Sequence, residues 1–159
     1  MQIRIATAKD EHSLVGMVVD FRNHLERQTP TDSQFQESIR LLLASEDAEF
    51  IIASIEHRAV GYVLQRYRHS MWAAGQEMTI EDLFVDPAGR KQGTGKALIQ
   101  FALARAREVG CSFACLDTNE FNIASTKIYT ELGFESLSKR WNGRQIFYRK
   151  SIARLPEEA

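Results

Sequence analysis

Only two cysteines, Cys111 and Cys115, occur in the 159 residues, both in one short apolar segment. Two thiols cannot build a disulfide framework, and their spacing forms no C-x-x-C motif, so a reducing compartment is expected. If the segment is a strand, regular alternation puts both thiols on one face as small core residues. The four histidines, His12, His24, His57 and His69, show no H-E-x-x-H or other ligand spacing, and no metal is expected. No run of 18 apolar residues exists, and Met1-Gln2-Ile3-Arg4 begins no apolar signal region. A cytoplasmic protein with no membrane role is the expectation. Twenty Lys and Arg against 21 Asp and Glu leave a formal charge of −1, which gives no reason to expect nucleic acid as a partner. What is present, 44% hydrophobic and 26% charged residues, suits one domain that folds without staples.

The patterns along the chain read β-α-α-β-β-β-α-β-α-β-β. Residues 3–6 alternate as a short strand. A helix follows Asp10, with Leu14, Val15, Val18, Val19, Phe21 and Leu25 on its apolar side, until Thr29-Pro30-Thr31-Asp32 breaks it. Asp32 or Ser33 is placed to cap a second helix carrying Phe35, Ile39, Leu42 and Leu43. Residues 50–55 and 59–68 form a hairpin around Glu56-His57-Arg58, 69–76 is a loop containing Met71-Trp72, and 79–85 is the next strand. Helix 96–109 stops at Gly110, strand 112–116 follows, and helix 123–132 ends at Gly133. Strands 134–137 and 145–149 flank Trp141-Asn142-Gly143, a strong hairpin signal. Helices between the later strands predict an α/β (α+β) fold, a mixed sheet with helices on both faces. Residues 1–152 read as a single domain and 153–159 as a tail.

The most informative stretch runs from Val85 through Asp86-Pro87-Ala88-Gly89-Arg90-Lys91-Gln92-Gly93-Thr94-Gly95-Lys96. A strand ends at a proline turn, a basic glycine-rich loop follows, and a helix opens. The first backbone N–H groups of a helix lack internal partners and sit at the positive end of its dipole, so this arrangement builds an anion site. Gly93 and Gly95 allow close backbone approach and positive φ, while Arg90, Lys91 and Lys96 add formal charge. A P-loop would need glycine at Arg90 and Ser or Thr at Ala97; a dinucleotide fingerprint would need glycine at Leu98. Both fail.

The remaining pattern, Arg90-x-x-Gly93-x-Gly95 after a strand, resembles the acetyl-CoA pyrophosphate loop of the GNAT acetyltransferase superfamily. A second segment carries independent support. Asn122 and Tyr129 lie close to two helical turns apart and so share a face, and Gly133-Phe134 supplies a C-cap and an apolar anchor. It resembles the GNAT pattern Asn-x-x-Ala-x-x-[Leu/Phe]-Tyr-x-x-x-Gly-Phe, with Ser125 at the usual Ala and Ile128 at the usual Leu or Phe. The resemblance implies the GNAT fold over nearly all of 1–152, with a mixed, mostly antiparallel central sheet of six to seven strands.

It also implies an acetyl-CoA-dependent N-acetyltransferase in which the amine attacks directly in a ternary complex. Leu83, Phe84, Val85, Arg90, Lys91, Gln92, Gly93, Thr94, Gly95, Lys96, Asn122 and Tyr129 are then the donor-binding candidates. Phe84 and Val85 would pair with the pantetheine arm like an added strand. Tyr129 is the candidate general acid, since a phenol near pKa 10 stays protonated while a leaving thiolate needs a proton. Glu81-Asp82-Leu83-Phe84-Val85 is similar to spermidine/spermine-type acetyltransferases, where the Glu position is a base candidate; Glu81 is favoured here. Alternation puts Glu81, Leu83 and Val85 on one face and Asp82 and Phe84 on the other, but the bulge expected in the family would swap that parity, leaving Asp82 or a water chain open. Phe21, Trp72, Glu81 and Asp82 are acceptor-binding candidates, with Trp72 equally suited to a homodimer interface. A small-molecule or peptide amine is the expected partner. The alternative is a non-catalytic acyl-CoA-binding or regulatory module.

Overall fold

The computed structural model describes residues 1–152, so the expected tail at 153–159 lies outside the described residues. The described chain clusters into two units, Met1–Leu116 and the segment from Asp117 onward.

In the first unit, β1 (Gln2–Ile5), β2 (Ala48–Ile55), β3 (Arg58–Ser70), β4 (Gly75–Val85) and β5 (Cys111–Leu116) form one sheet in the order β1-β2-β3-β4-β5. All neighbours are antiparallel except β4 and β5, which run parallel. Glu56 and His57 both have positive φ, the geometry that lets a two-residue turn join β2 and β3. The expected loop at 69–76 is shorter than its sequence suggested. β3 and β4 stay paired to Ser70↔Gly75, extended by the Arg68–Glu77 rung whose charges meet at 2.8 Å.

Period-2 alternation divides the sheet's two apolar faces. Phe50, Ile52, Tyr62 and Phe84 meet Leu14 and Met17 of α1 (Glu11–His24) and Ile39 of α2 (Asp32–Leu43) in one buried cluster. Ile51, Val63, Met78 and Ile80 point the other way, where α3 (Thr94–Val109) buries Leu98, Ile99 and Ala102. The expected helices on both faces are present. Fully burying such side chains contributes roughly 1.5–3 kcal/mol each. Neither Asp32 nor Ser33 caps α2. Thr31 does, because its hydroxyl accepts from Gln34 N while Gln34 Oε1 accepts from Thr31 N, a reciprocal box available only at that spacing.

A register shift in β5 corrects the expectation for the cysteines. Cys111 pairs beside Gln76, but Phe113 pairs beside Glu77, so one extra residue reverses the alternation. Cys115 therefore shares a face with Glu77 and Thr79, its Sγ 3.2 Å from Glu77 Oε1, and Cys111 faces the opposite side.

The second unit holds α4 (Ile123–Glu131), β6 (Leu137–Ser138) and β7 (Gly143–Arg144). The element order matches the expectation, but the last two strands are far shorter than 134–137 and 145–149. Among the described residues they pair only with each other, so the main sheet there has five strands rather than six to seven. Ile146, Phe147 and Tyr148 lie exposed outside any ladder, which leaves their alternating pattern without the pairing that makes a strand.

Candidate functional site

The loop between β4 and α3 is tied together by side chains that bond its own backbone. Asp86 accepts from Ala88 N at 2.8 Å, Arg90 Nε donates to Val85 O at 3.0 Å, and Gln92 Nε2 donates to Ala88 O at 2.8 Å. Thr94 is buried, its hydroxyl donating to Gly89 O at 2.7 Å. Gly93 caps α3 at φ +76°, and Lys91 also sits at positive φ. Gly95 does not; it lies in the first turn of α3, whose N-cap supplies no side-chain bond to the leading N–H groups. Gly89 marks a close approach the sequence reading overlooked. A Cβ there would lie 3.0 Å from Val60 on β3, so any side chain would require the loop or Val60 to shift by a few tenths of an ångström. Farther along α3, Arg105 forks onto Glu49, whose carboxylate also accepts from Tyr67 and Gln65, which fixes the helix on the sheet.

Upstream, β4 carries the expected bulge. Asp82 opposes Leu64 and Ile80 opposes Gln65, so Glu81 is the inserted residue. The β4/β5 ladder ends at Ile80↔Leu116; beyond it, 82–85 pair only with β3 among the described residues. The outer backbone edge of Leu83, Phe84 and Val85 is thus available to an extended amide-bearing ligand. Gly61 lets β3 close on this stretch, since a Cβ would meet Phe84 O at 2.8 Å. Together the open edge, the left-handed Gly93 and the helix N-terminus fit an extended ligand ending in a polyphosphate.

The two carboxylates of the bulge occupy different surroundings. Glu81 is half exposed and faces Arg66 at 3.4 Å. Asp82 points inward, where Tyr62 donates its hydroxyl at 2.5 Å. Burial raises the Asp82 carboxyl above the usual carboxylate range, against the opposing pull of the Tyr62 hydrogen bond. Burial and the adjacent Asp82 charge push the Tyr62 phenol up as well, so it stays a donor. Tyr62 is another residue that sequence reasoning missed; nothing in a β-rich run marks one tyrosine as a partner of a distant carboxylate.

Asp82 and Tyr62 end a cavity of about 200 Å3 between the sheet and α1/α2, walled by Val18, Phe35, Leu42 and Leu64. The α1–α2 corner over it is clamped by Arg22, which donates to Pro30 O and Asp32 and lies over the Phe35 ring at 5.8 Å. Phe21 stacks on Phe84 with centroids 5.2 Å apart. Trp72 is not brought to this place. It lies exposed at the β3–β4 tip, six residue steps or roughly 20 Å along β3 from the bulge.

In the second unit, Tyr129 is buried and packs edge-on to Phe134 at 5.9 Å. Gly133 at φ +85° turns the chain so that Phe134 N donates back to Tyr129 O. Asn122 occupies the N-cap position of α4, yet its side chain makes no cap; its Nδ2 faces Thr118 Oγ1 at 3.5 Å. A capping residue that does not cap is left for other partners.

Comparison with known proteins narrows what such an arrangement does. The profile of the acetyltransferase (GNAT) family matches residues 18–134. Over 125 residues the chain is 31% identical to aminoglycoside N(6')-acetyltransferase type 1 of Salmonella typhimurium, covering 76% of this chain and 81% of that one. It is 32% identical over 80 residues to thialysine N-epsilon-acetyltransferase of Bos taurus, covering 50% of this chain and 46% of that protein. A solved aminoglycoside N-acetyltransferase in complex with CoA superposes with a TM-score of 0.75 at 25% identity, over 94% of this chain and 93% of that one.

Proposed function

The chain belongs to the acetyltransferase (GNAT) family, and from that premise we propose how its residues move an acetyl group from acetyl-CoA to an amine. The observation that carries the reading is the open outer edge of β4 leading straight into a basic loop and the uncapped N–H groups of α3. Acetyl-CoA supplies an activated thioester. The backbone at Leu83, Phe84 and Val85 holds its amide-rich arm as an added strand, and 90–96 take its pyrophosphate through N–H groups, Arg90, Lys91 and Lys96. Anchoring at both ends aligns the carbonyl for a direct attack in a ternary complex.

An alkyl ammonium near pKa 10.4 must lose a proton before it can attack. Asp82 has the stronger case for receiving it: buried, raised in basicity, and one wall of a cavity large enough for part of an acceptor. Glu81 remains the neighbouring carboxylate on the solvent side of the bulge, beside Arg66. Tyr129 is the general acid that hydrogen-bonds or protonates the departing sulfur, and Asn122 on the same helix face contributes to donor binding. The setting is cytoplasmic, as a homodimer.

The direct test is thiol release from acetyl-CoA in the presence of an amine panel, repeated with Tyr129→Phe. Turnover should fall about a hundredfold while acetyl-CoA affinity, read by calorimetry, stays within about twofold. Equal turnover in the variant removes Tyr129 from the chemistry. Binding of acetyl-CoA with no thiol release for any amine would instead mark the chain as a non-catalytic acyl-CoA-binding module.

A further inference from the structure

Beyond the reaction, the walls of the cavity define its acceptor. We infer that the acceptor is a monoamine on an apolar stem, its single ammonium held by Asp82 and its stem filling the cavity between α1/α2 and the sheet. This rests on the acetyl-transfer reading of the same site.

Charge comes first. Asp82 makes no ion pair among the described residues; its side-chain partner is the neutral hydroxyl of Tyr62. A buried carboxylate answered by one hydroxyl and the Leu83 N–H, with no cation beside it, is poised for one cation, and an entering ammonium compensates it. The other carboxylates on that face of β4 already have guanidinium partners: Glu81 faces Arg66 at 3.4 Å and Glu77 meets Arg68 at 2.8 Å. A second or third ammonium on the acceptor would therefore approach guanidinium groups rather than free carboxylates. A polycation meets one welcoming charge and two pairs that resist it.

Size and polarity point the same way. About 200 Å3 is the liquid volume of roughly seven waters, room for a six-membered ring or a short branched chain. Its side walls, Val18, Phe35, Leu42 and Leu64, offer nothing to a sugar hydroxyl, and its polar groups, Ser38, Tyr62 and Asp82, are too few to replace the hydration of a polyol. The cavity opens beside Pro30 and Ser38, both exposed at the α1–α2 corner, so a stem can enter without unfolding the core.

The test compares phenethylamine, methylamine, spermidine and kanamycin as acceptors by thiol release with the intact protein. Phenethylamine should exceed spermidine and kanamycin in kcat/KM by at least about tenfold. Val18→Phe, which fills the cavity, and Ser38→Phe, which narrows its exposed mouth and leaves the core packing alone, should each lower phenethylamine kcat/KM about tenfold. Methylamine, having no stem, should be unaffected by either variant, and acetyl-CoA affinity should not move. A preference for kanamycin or spermidine overturns the inference and leaves acetyl transfer standing. So does an equal loss for both monoamines in Ser38→Phe, or no loss for phenethylamine. Bound acetyl-CoA with no acetylation of any amine overturns the acetyl-transfer reading, and the acceptor inference falls with it.

Discussion

The loop that opens α3 and the cavity under α1 and α2 are built by opposite means. The loop uses backbone: a left-handed glycine, a buried threonine tying its ends, and helix N–H groups that no side chain needs to supply. The cavity uses side chains drawn from α1, α2, β3 and β4, with one carboxylate set against one phenol. A backbone cradle works for any ligand with the same phosphate end, so it suits a shared donor. A cavity of side chains changes with each substitution, so it suits an acceptor that differs from one relative to the next. On this chain the general part and the particular part meet at the β4 bulge.

Breaking the particular part has the largest expected effect. Asp82→Asn keeps the size of the side chain and removes its charge and basicity, so turnover should fall about a thousandfold with little change in acetyl-CoA binding. The pH–rate profile discriminates further. Because burial raises the Asp82 carboxyl, the wild-type acidic limb should lie above the usual carboxylate range. Activity is present while Asp82 is ionised and is lost as pH falls through that raised value. Asp82→Asn should abolish the limb and Glu81→Gln should keep it; the reverse outcome returns the base role to Glu81.

The same division explains what could be read from sequence. Gly93, Gly110 and Gly133 announce their left-handed positions because glycine is the residue that adopts them freely, and all three have positive φ. The donor loop is contiguous, so its spacing alone separates it from other phosphate loops. Glu81 and Asp82 could not be assigned faces, because a bulge is a property of two paired strands rather than of either one. Tyr62 was invisible for a related reason: it lies 20 residues from the carboxylate it serves. Thr31, Asp32 and Ser33 are all competent caps, and only the reciprocal bond with Gln34 selects the first. The two cysteines were assigned one face because the β5 shift has no local signature.

A smaller effect should follow from disturbing the backbone cradle. At Gly93 an added Cβ would meet nothing within 4 Å, so Gly93→Ala isolates the cost of a left-handed φ of +76° from any clash. That cost is about 1–2 kcal/mol, which should weaken acetyl-CoA about tenfold by calorimetry. The KM for the amine should not change, since the cavity shares no side chain with the loop. A rise in amine KM with donor affinity intact would contradict the division of labour between the two regions.

The smallest effect concerns stability rather than activity. Asp10 precedes α1, the helix whose Leu14 and Val18 wall the cavity. Arg4 grips its carboxylate with two bonds of 2.7 and 2.8 Å, and Thr7 N adds a third, so the Asp10 carboxyl is held down from 3.8 to about 2. A folded pKa below the unfolded one means the native state favours the ionised form. The resulting stability is fully present above about pH 4, where the unfolded chain's carboxylate is also ionised. It disappears as pH falls through the folded value near 2. The shift corresponds to at most about 2.4 kcal/mol. Asp10→Asn should therefore lower the midpoint of urea unfolding at pH 7 and flatten its dependence on pH between about 4 and 2, relative to wild type. An unchanged slope in that window would show that Arg4 and Asp10 hold α1 no more tightly than water does.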